Sequence, residues 1–332
     1  MDLALVWFGL IILCWVLFLV LEGFDFGVGM LAPVLGRDAA QRGAALRTIA
    51  PVWDGNEVWL VAAIGVMFAA FPGWYASFLS GLYLPMVLLL LALAVRGVAL
   101  EFRGKKDSAA WRRRCDAALA AGSAVTAAVL GATLGVLSGG LPLGADGEVA
   151  AGGGAPARSL AVFTEPAAIL GAVIGVVAAV VLGAAYLGLR TTGPVRDRAR
   201  RWAAAPAIGL AVAALAAGLS GAWPWWLGAA VAAALAGVAA AARRRREGWA
   251  FGLAVAAVAV TVVAVLVQHY PVLMPSTIDP AHSLTIDDAA ASPYALRTIT
   301  WAGALILPAV VVYQAFAYWV FRKRVASEPV PT

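Results

Sequence analysis

The chain has 332 residues, of which 63% are hydrophobic and 13% charged, with a formal net charge of +6. So large an apolar share excludes an ordinary soluble domain, and many runs reach the roughly 20 residues that a helix needs to cross hydrocarbon. The positive balance does not point to nucleic acid, because the basic residues sit in short juxtamembrane loops and form no continuous patch with interleaved aromatics.

In chain order, long apolar runs predict nine spans, near 3–22, 51–71, 76–98, 116–138, 161–189, 203–220, 224–242, 249–268 and 299–321. Met1 to Glu22 lacks the basic n-region and small-residue cleavage site of a signal peptide, so it is kept as the first span. Spans 2 and 3 are joined by the short turn Phe71-Pro72-Gly73-Trp74-Tyr75, and spans 6 and 7 by Gly221-Ala222-Trp223-Pro224-Trp225-Trp226. Such tight turns force antiparallel neighbours, and their aromatics suit a membrane interface. Segment 139–160, with Gly139-Gly140 and Gly152-Gly153-Gly154, reads as a flexible external loop of low complexity. A second external segment covers 269–298.

With Arg96 counted in the loop it borders, 22 of the 24 lysines and arginines fall on one side of this pattern. By the positive-inside rule that side is the cytoplasm. The N-terminus is then outside, and the tail 322–332, opening on Arg322-Lys323-Arg324, is cytoplasmic. Loop lengths repeat after span 4. The predicted fold is therefore an all-α integral membrane protein of nine transmembrane helices: a four-helix unit over 1–138, a second in parallel orientation over 161–268, and a peripheral ninth helix over 299–321. Spans 5 to 8 are mostly Ala, Val, Leu and Gly, which suits close helix packing or lipid contact. The basic loops also suit contact with anionic membrane lipid.

Polar residues concentrate in spans 1 to 3. At the inner end of span 1 the chain reads Leu21-Glu22-Gly23-Phe24-Asp25-Phe26-Gly27-Val28-Gly29-Met30, and span 2 opens with Pro51-Val52-Trp53-Asp54-Gly55-Asn56-Glu57. Each segment holds two acids three residues apart, a spacing that puts them on one helical face. Carboxylates at the hydrocarbon boundary are costly and point to proton handling. The structural reading is that Asp54 caps the second helix behind Pro51 and that Glu57 pairs with Arg96 or Arg47 as a packing clasp. Arg96, at the inner end of span 3, either snorkels to the interface or serves as counter-ion to Glu22, Asp25, Asp54 and Glu57. Glycines 23, 27 and 29 read as sites of tight backbone turns.

The only two histidines, His269 and His282, lie at or beyond the outer end of span 8. A membrane b-type haem takes a His ligand buried between helices, so this chain is expected to ligate none. Cys14 and Cys115 are too far apart in the topology to form a disulfide, and no spacing resembles a metal site.

The blocks Gly23-Phe24-Asp25-Phe26-Gly27-Val28-Gly29-Met30-Leu31, Ala50-Pro51-Val52-Trp53-Asp54-Gly55-Asn56-Glu57-Val58-Trp59-Leu60 and Phe102-Arg103-Gly104-Lys105 resemble subunit II of the cytochrome bd quinol oxidases. Tyr270-Pro271-Val272-Leu273-Met274-Pro275-Ser276, Ser283-Leu284-Thr285-Ile286 and Phe321-Arg322-Lys323 carry the same resemblance at the other end; the region 117–265 is too generic to test it. The resemblance implies a nine-helix subunit without redox centres of its own. Its partner would be subunit I, bearing two b-type haems and haem d, often with a small single-span subunit. The complex would oxidise quinol and reduce oxygen to water at haem d, in a bacterial cytoplasmic membrane. It implies that Asp54 belongs to a proton pathway from the cytoplasm, with either Glu22 or Asp25 as a second group. Glu57 departs from the family pattern, which has Gln there. Two other classes remain: a purely structural or assembly subunit, and a proton-coupled secondary transporter. Against the transporter, the halves are parallel and the second half has no matching polar groups.

Overall fold

The computed structural model describes residues 2–150 and 154–327. Asp2 caps the first helix, α1 (Leu3–Leu35), by accepting a hydrogen bond from the Ala4 amide at 2.9 Å. At 33 residues α1 is roughly 50 Å long, against about 30 Å of hydrocarbon. It therefore does not end near Glu22, as the apolar run suggested. Glu22 and Asp25 lie within a continuous helix that closes past Pro33, at Gly36.

A short helix α2 (Ala39–Leu46) leads to α3 (Trp53–Ala70), and then to α4 (Pro72–Gly81) and α5 (Tyr83–Phe102). The predicted span 76–98 is thus broken at Leu82. Pro85 has no amide hydrogen to carry the α-helical ladder across that point, and Pro72 starts α4 where a missing amide costs nothing. The chain continues through α6 (Ala109–Gly139), α7 (Ala155–Phe163), α8 (Pro166–Arg190), α9 (Pro194–Leu219), α10 (Trp225–Arg243) and α11 (Glu247–Val267). A small hairpin, β1 (Val272–Met274) with β2 (Leu284–Thr285), and the turn α12 (Ile286–Ala289) precede α13 (Pro293–Val320).

Among the described residues eight helices are long and apolar enough to cross a membrane: α1, α5, α6, α8, α9, α10, α11 and α13. The predicted second span, α3, is not among the eight, because its first turns carry Asp54, Asn56 and Glu57. Helix α1 is the hub, packing against α3, α6, α8 and α11, while α5 lies on α6 and α9 lies between α8 and α10. In α13 only Leu296 and Gln314 are buried.

Glycines set the closest approaches. A Cβ on Gly27 would lie 1.9 Å from the Ala179 carbonyl oxygen, and one on Gly183 would lie 2.3 Å from the Gly27 carbonyl carbon, so α1 and α8 touch backbone to backbone. The α6–α8 contact repeats this, with a Cβ on Gly131 falling 2.2 Å from the Gly171 oxygen. Glycines 23, 27 and 29 are therefore helical packing positions and make no turns, since all three lie inside α1.

The described part of the 139–160 loop is tied down. The Leu141 amide donates to Pro275 O and the Thr277 amide to Leu141 O, while Leu141, Leu143 and Val149 are buried. After α13 the Val325 amide donates to Arg190 O and the Thr192 amide to Val325 O, which fastens the tail to the α8–α9 turn. The Gly152-Gly153 stretch of the predicted flexible loop and residues 328–332 of the predicted tail lie outside the described residues.

Candidate functional site

Helix α1 divides its middle turns between two sides of the bundle. Gly23 and Gly27 face α8, which forces the opposite side, with Glu22, Asp25, Phe26 and Gly29, toward α3, α5 and α6. A Cβ on Gly29 would lie 2.3 Å from Ser123 Oγ of α6. The acids therefore sit at the meeting point of several helices. Glu22 and Asp25 are both 0% exposed.

Arg96 of α5 enters the same space and is likewise 0% exposed, so it does not snorkel to the interface. Its Nη1 donates to Glu22 Oε2 at 2.6 Å and to Glu57 Oε1 at 3.1 Å, joining α1, α3 and α5 through one guanidinium. The guanidinium carbon stands 4.8 Å from the centre of the Phe26 ring, which supplies a cation–π contact. Glu57 is the outermost member, with its side chain 28% exposed.

Asp25 belongs to a second file of polar groups. Asn56 Nδ2 donates to Asp25 Oδ2 at 2.7 Å. Asn56 Oδ1 accepts from Gln314 Nε2 at 2.7 Å and from the Tyr318 hydroxyl at 2.9 Å. Two donors on Oδ1 fix the amide so that Asn56 must donate to Asp25. Oδ2 is thereby occupied as an acceptor, and Oδ1 of Asp25 is the atom left for a proton. This file also fastens α13 to the body of the protein.

Several buried atoms here have no partner among the described residues: Glu22 Oε1, Asp25 Oδ1, Arg96 Nε and Nη2, and Ser123 Oγ. Unused hydrogen-bonding capacity in a buried site calls for a functional or structural explanation. One guanidinium faces three carboxylates in Glu22, Asp25 and Glu57, and that imbalance gives the cluster room for exchangeable protons.

Asp54 stands apart from this group. It lies in the first turn of α3, but the N-cap is Val52 and no side chain caps the helix, so Asp54 is not the cap. Its side chain is exposed and, among the described residues, makes no ion pair with Arg96 or Arg47. Together with Pro51, Tyr313 and Gln314 it lines a small recess of about 80 Å³. Gln314 lines that recess and also donates to Asn56.

Of the five residues singled out from the sequence, the structure brings together Glu22, Asp25, Glu57 and Arg96, and leaves Asp54 at the edge. Sequence reasoning missed Asn56, Gln314, Tyr318 and Ser123. Gln314 and Tyr318 stand four residues apart in a span with few other polar residues, so the helical pairing rule applied to polar residues, and not to acids alone, points to them. Both histidines lie beyond α11, His282 in the short 3-10 turn Pro280–His282. Among the described residues no group of three or more His, Cys, Asp or Glu could hold a metal ion.

Comparison with known proteins gives a consistent picture. The family model for cytochrome bd terminal oxidase subunit II matches residues 3–321. The chain is 37% identical to cytochrome bd ubiquinol oxidase subunit 2 of Bacillus subtilis, covering 97% of this chain and 96% of that one. It is 29% identical to cytochrome bd-I ubiquinol oxidase subunit 2 of Escherichia coli K12, covering 99% and 96%. A chain in the structure of bd oxidase from Geobacillus thermodenitrificans superposes with a TM-score of 0.69 at 12% identity, covering 97% of this chain and 98% of that one, which is a likeness of fold.

Proposed function

The chain belongs to the cytochrome bd terminal oxidase subunit II family, and on that premise we propose that its buried acids carry protons from the cytoplasm toward subunit I. Membership makes it a multi-pass cytoplasmic-membrane protein and a subunit of a quinol oxidase complex that contains subunit I. In this reading α3 completes a set of nine spans, arranged as two four-helix units with α13 at the periphery, the N-terminus outside and the C-terminus in the cytoplasm. Two b-type haems and haem d, held by the partner, supply electron transfer and oxygen reduction when bound. A small single-span subunit is the remaining protein partner.

Reduction of an oxygen molecule to water consumes four protons, and a buried reaction site needs a route for them. The observation that carries the reading is the pairing of Glu22 and Asp25, both fully buried, with unused acceptor atoms on each. Asp54 stands at the mouth of this route, in the recess that Gln314 walls off. Gln314 and Asn56 are amides that take up no proton themselves, and their role is to orient Asp25 so that Oδ1 remains the receiving atom. Glu57, half-open to the surface and bonded to Arg96, offers a second approach, which leads to Glu22.

The test is Asp25→Asn in the intact complex, with Asp54→Asn beside it. Oxygen consumption is expected to fall on the order of tenfold or more for Asp25→Asn, and less for the exposed Asp54, with the haem spectrum unchanged. Undiminished turnover in Asp25→Asn would falsify the relay. A second reading is favoured by Arg96 alone, because a cation bonded to acids on two other helices is also what a purely structural clasp requires. That reading requires haem content to fall together with turnover.

A further inference from the structure

On the cytoplasmic side of the proposed topology, remote in sequence from the acid cluster, α9 and the α10–α11 connection enclose an open cleft of about 470 Å³. That volume lies in the range of small-molecule sites, roughly 300–1,000 Å³. Arg200, Arg201, Arg243 and Arg245 line it, over a floor of Ala204, Ala205 and Ala242. Asp197 is the one carboxylate in the lining, and it is already bonded to Arg200. Among the described residues no acid pairs with Arg201, Arg243 or Arg245. Three arginines thus line the cleft without a counter-charge among the described residues, and the alanine side chains offer them no acceptor.

The backbone supports this arrangement. Arg245 adopts φ 59°, the left-handed conformation that closes α10, with the Arg246 amide donating to Ala241 O. Glycine is the residue that takes this position at least cost. An arginine there accepts conformational strain and places its side chain in the cleft lining.

The surroundings identify the kind of anion. Along α9 the cleft runs out into a single exposed stripe, Arg201, Ala205, Ile208, Val212 and Leu215, spaced alternately four and three residues apart on one helical face. Trp202 and Trp249, 44% and 67% exposed, flank the basic residues, as aromatics do at the headgroup level of a membrane. A free anion has no use for the apolar stripe, whereas a lipid uses both parts. We propose that this cleft binds a phosphate group, that of an anionic phospholipid, with the phosphate among Arg201, Arg243 and Arg245 and an acyl chain along Ile208, Val212 and Leu215.

The test uses the intact oxidase complex in nanodiscs of phosphatidylcholine with or without phosphatidylglycerol, reading the lipid that stays bound by native mass spectrometry. Phosphatidylglycerol is expected to be retained over phosphatidylcholine by about tenfold, and excess inorganic phosphate is expected not to displace it. The doubly substituted Arg243→Gln, Arg245→Gln complex should lose the preference, and so should Ala205→Asp, which puts a negative charge into the cleft without touching an arginine. Equal retention of the two lipids by the unmodified complex overturns the proposal. So does a preference that survives both variants, and displacement by phosphate would show a site for the free anion. If neither variant assembles, the unmodified complex in the two lipid mixtures and in phosphate still decides.

Discussion

Around Arg96 the helices α1, α3 and α5 are held apart by side chains, whereas α8 meets α1 and α6 backbone to backbone at Gly27, Gly183, Gly131 and Gly171. The Arg96 contacts and the Gly27–Gly183 contact both involve α1, on opposite sides of the same turns. Where glycines let two helices touch, no room remains for a polar group, and the buried residues of α8 from Ala168 to Gly183 are all Ala, Gly, Val or Leu. Where Phe26, Trp53 and the Arg96 stem act as spacers, polar atoms with unused hydrogen bonds are enclosed. Close packing on one face of α1 thus lies back to back with the buried acids on the other.

The most severe way to break the polar side is Arg96→Met. It would leave Glu22 buried beside no cation, and removing one partner of a buried ion pair costs about 3–5 kcal/mol. The expected outcome is loss of the assembled complex, read as subunit stoichiometry and thermal midpoint. Adding Glu22→Gln and Glu57→Gln to Arg96→Met removes the two carboxylates that Arg96 had bonded, leaving Asp25 with its Asn56 donor, and should restore assembly without restoring turnover. Assembly of the single variant at wild-type stability would show that Glu22 does not depend on Arg96.

The packed side breaks more gently. Gly27→Ala drives a Cβ toward the Ala179 carbonyl oxygen, so α1 and α8 must separate, at an expected cost of about 1–3 kcal/mol. Gly209→Ala on α9 is the control, with nothing within 4 Å of the added carbon, and should be neutral or stabilising by roughly 0.5–1 kcal/mol. The coupling between the two faces adds a second readout. If α8 positions the acids, Gly27→Ala lowers oxygen consumption by more than its loss of stability explains, while Gly209→Ala leaves it unchanged.

The sequence carries the polar side of this contrast better than the packed side. Glu22, Asp25, Glu57 and Arg96 stand out because charge is rare in apolar runs, and their helical spacing already puts each acid pair on one face. The extent of α1 was not legible, because hydropathy falls at Glu22 while the helix continues to Leu35 on contacts with α2 and α8. Nor was the break at Leu82, since Pro85 lies in an apolar run that averages over it. Glycine 27 is locally ambiguous: the same residue serves a turn or a helix crossing, and only the facing Gly183, far along the chain, decides between them. Asp54 and Asn56 stand two residues apart on different faces of α3, the first exposed and the second buried, and nothing local says which face turns inward. The inward face is set by Gln314, across 258 positions of sequence.

The smallest expected effect tests where the polar cluster ends. Glu57→Gln keeps the shape of the side chain, and the new amide oxygen can still accept from Arg96 Nη1. The lost charge is partly screened at a side chain 28% exposed, so the stability change should stay under about 1 kcal/mol. Turnover should stay close to wild type if Glu22 and Asp25 are the groups that exchange protons and Glu57 only flanks Arg96. A fall in oxygen consumption as large as that of Asp25→Asn, with haem content intact, would move the functional boundary outward to Glu57. The entry to the cluster would then run along the exposed edge of α3 and past Arg96, and the recess between Asp54 and Gln314 would be a feature of how α13 docks.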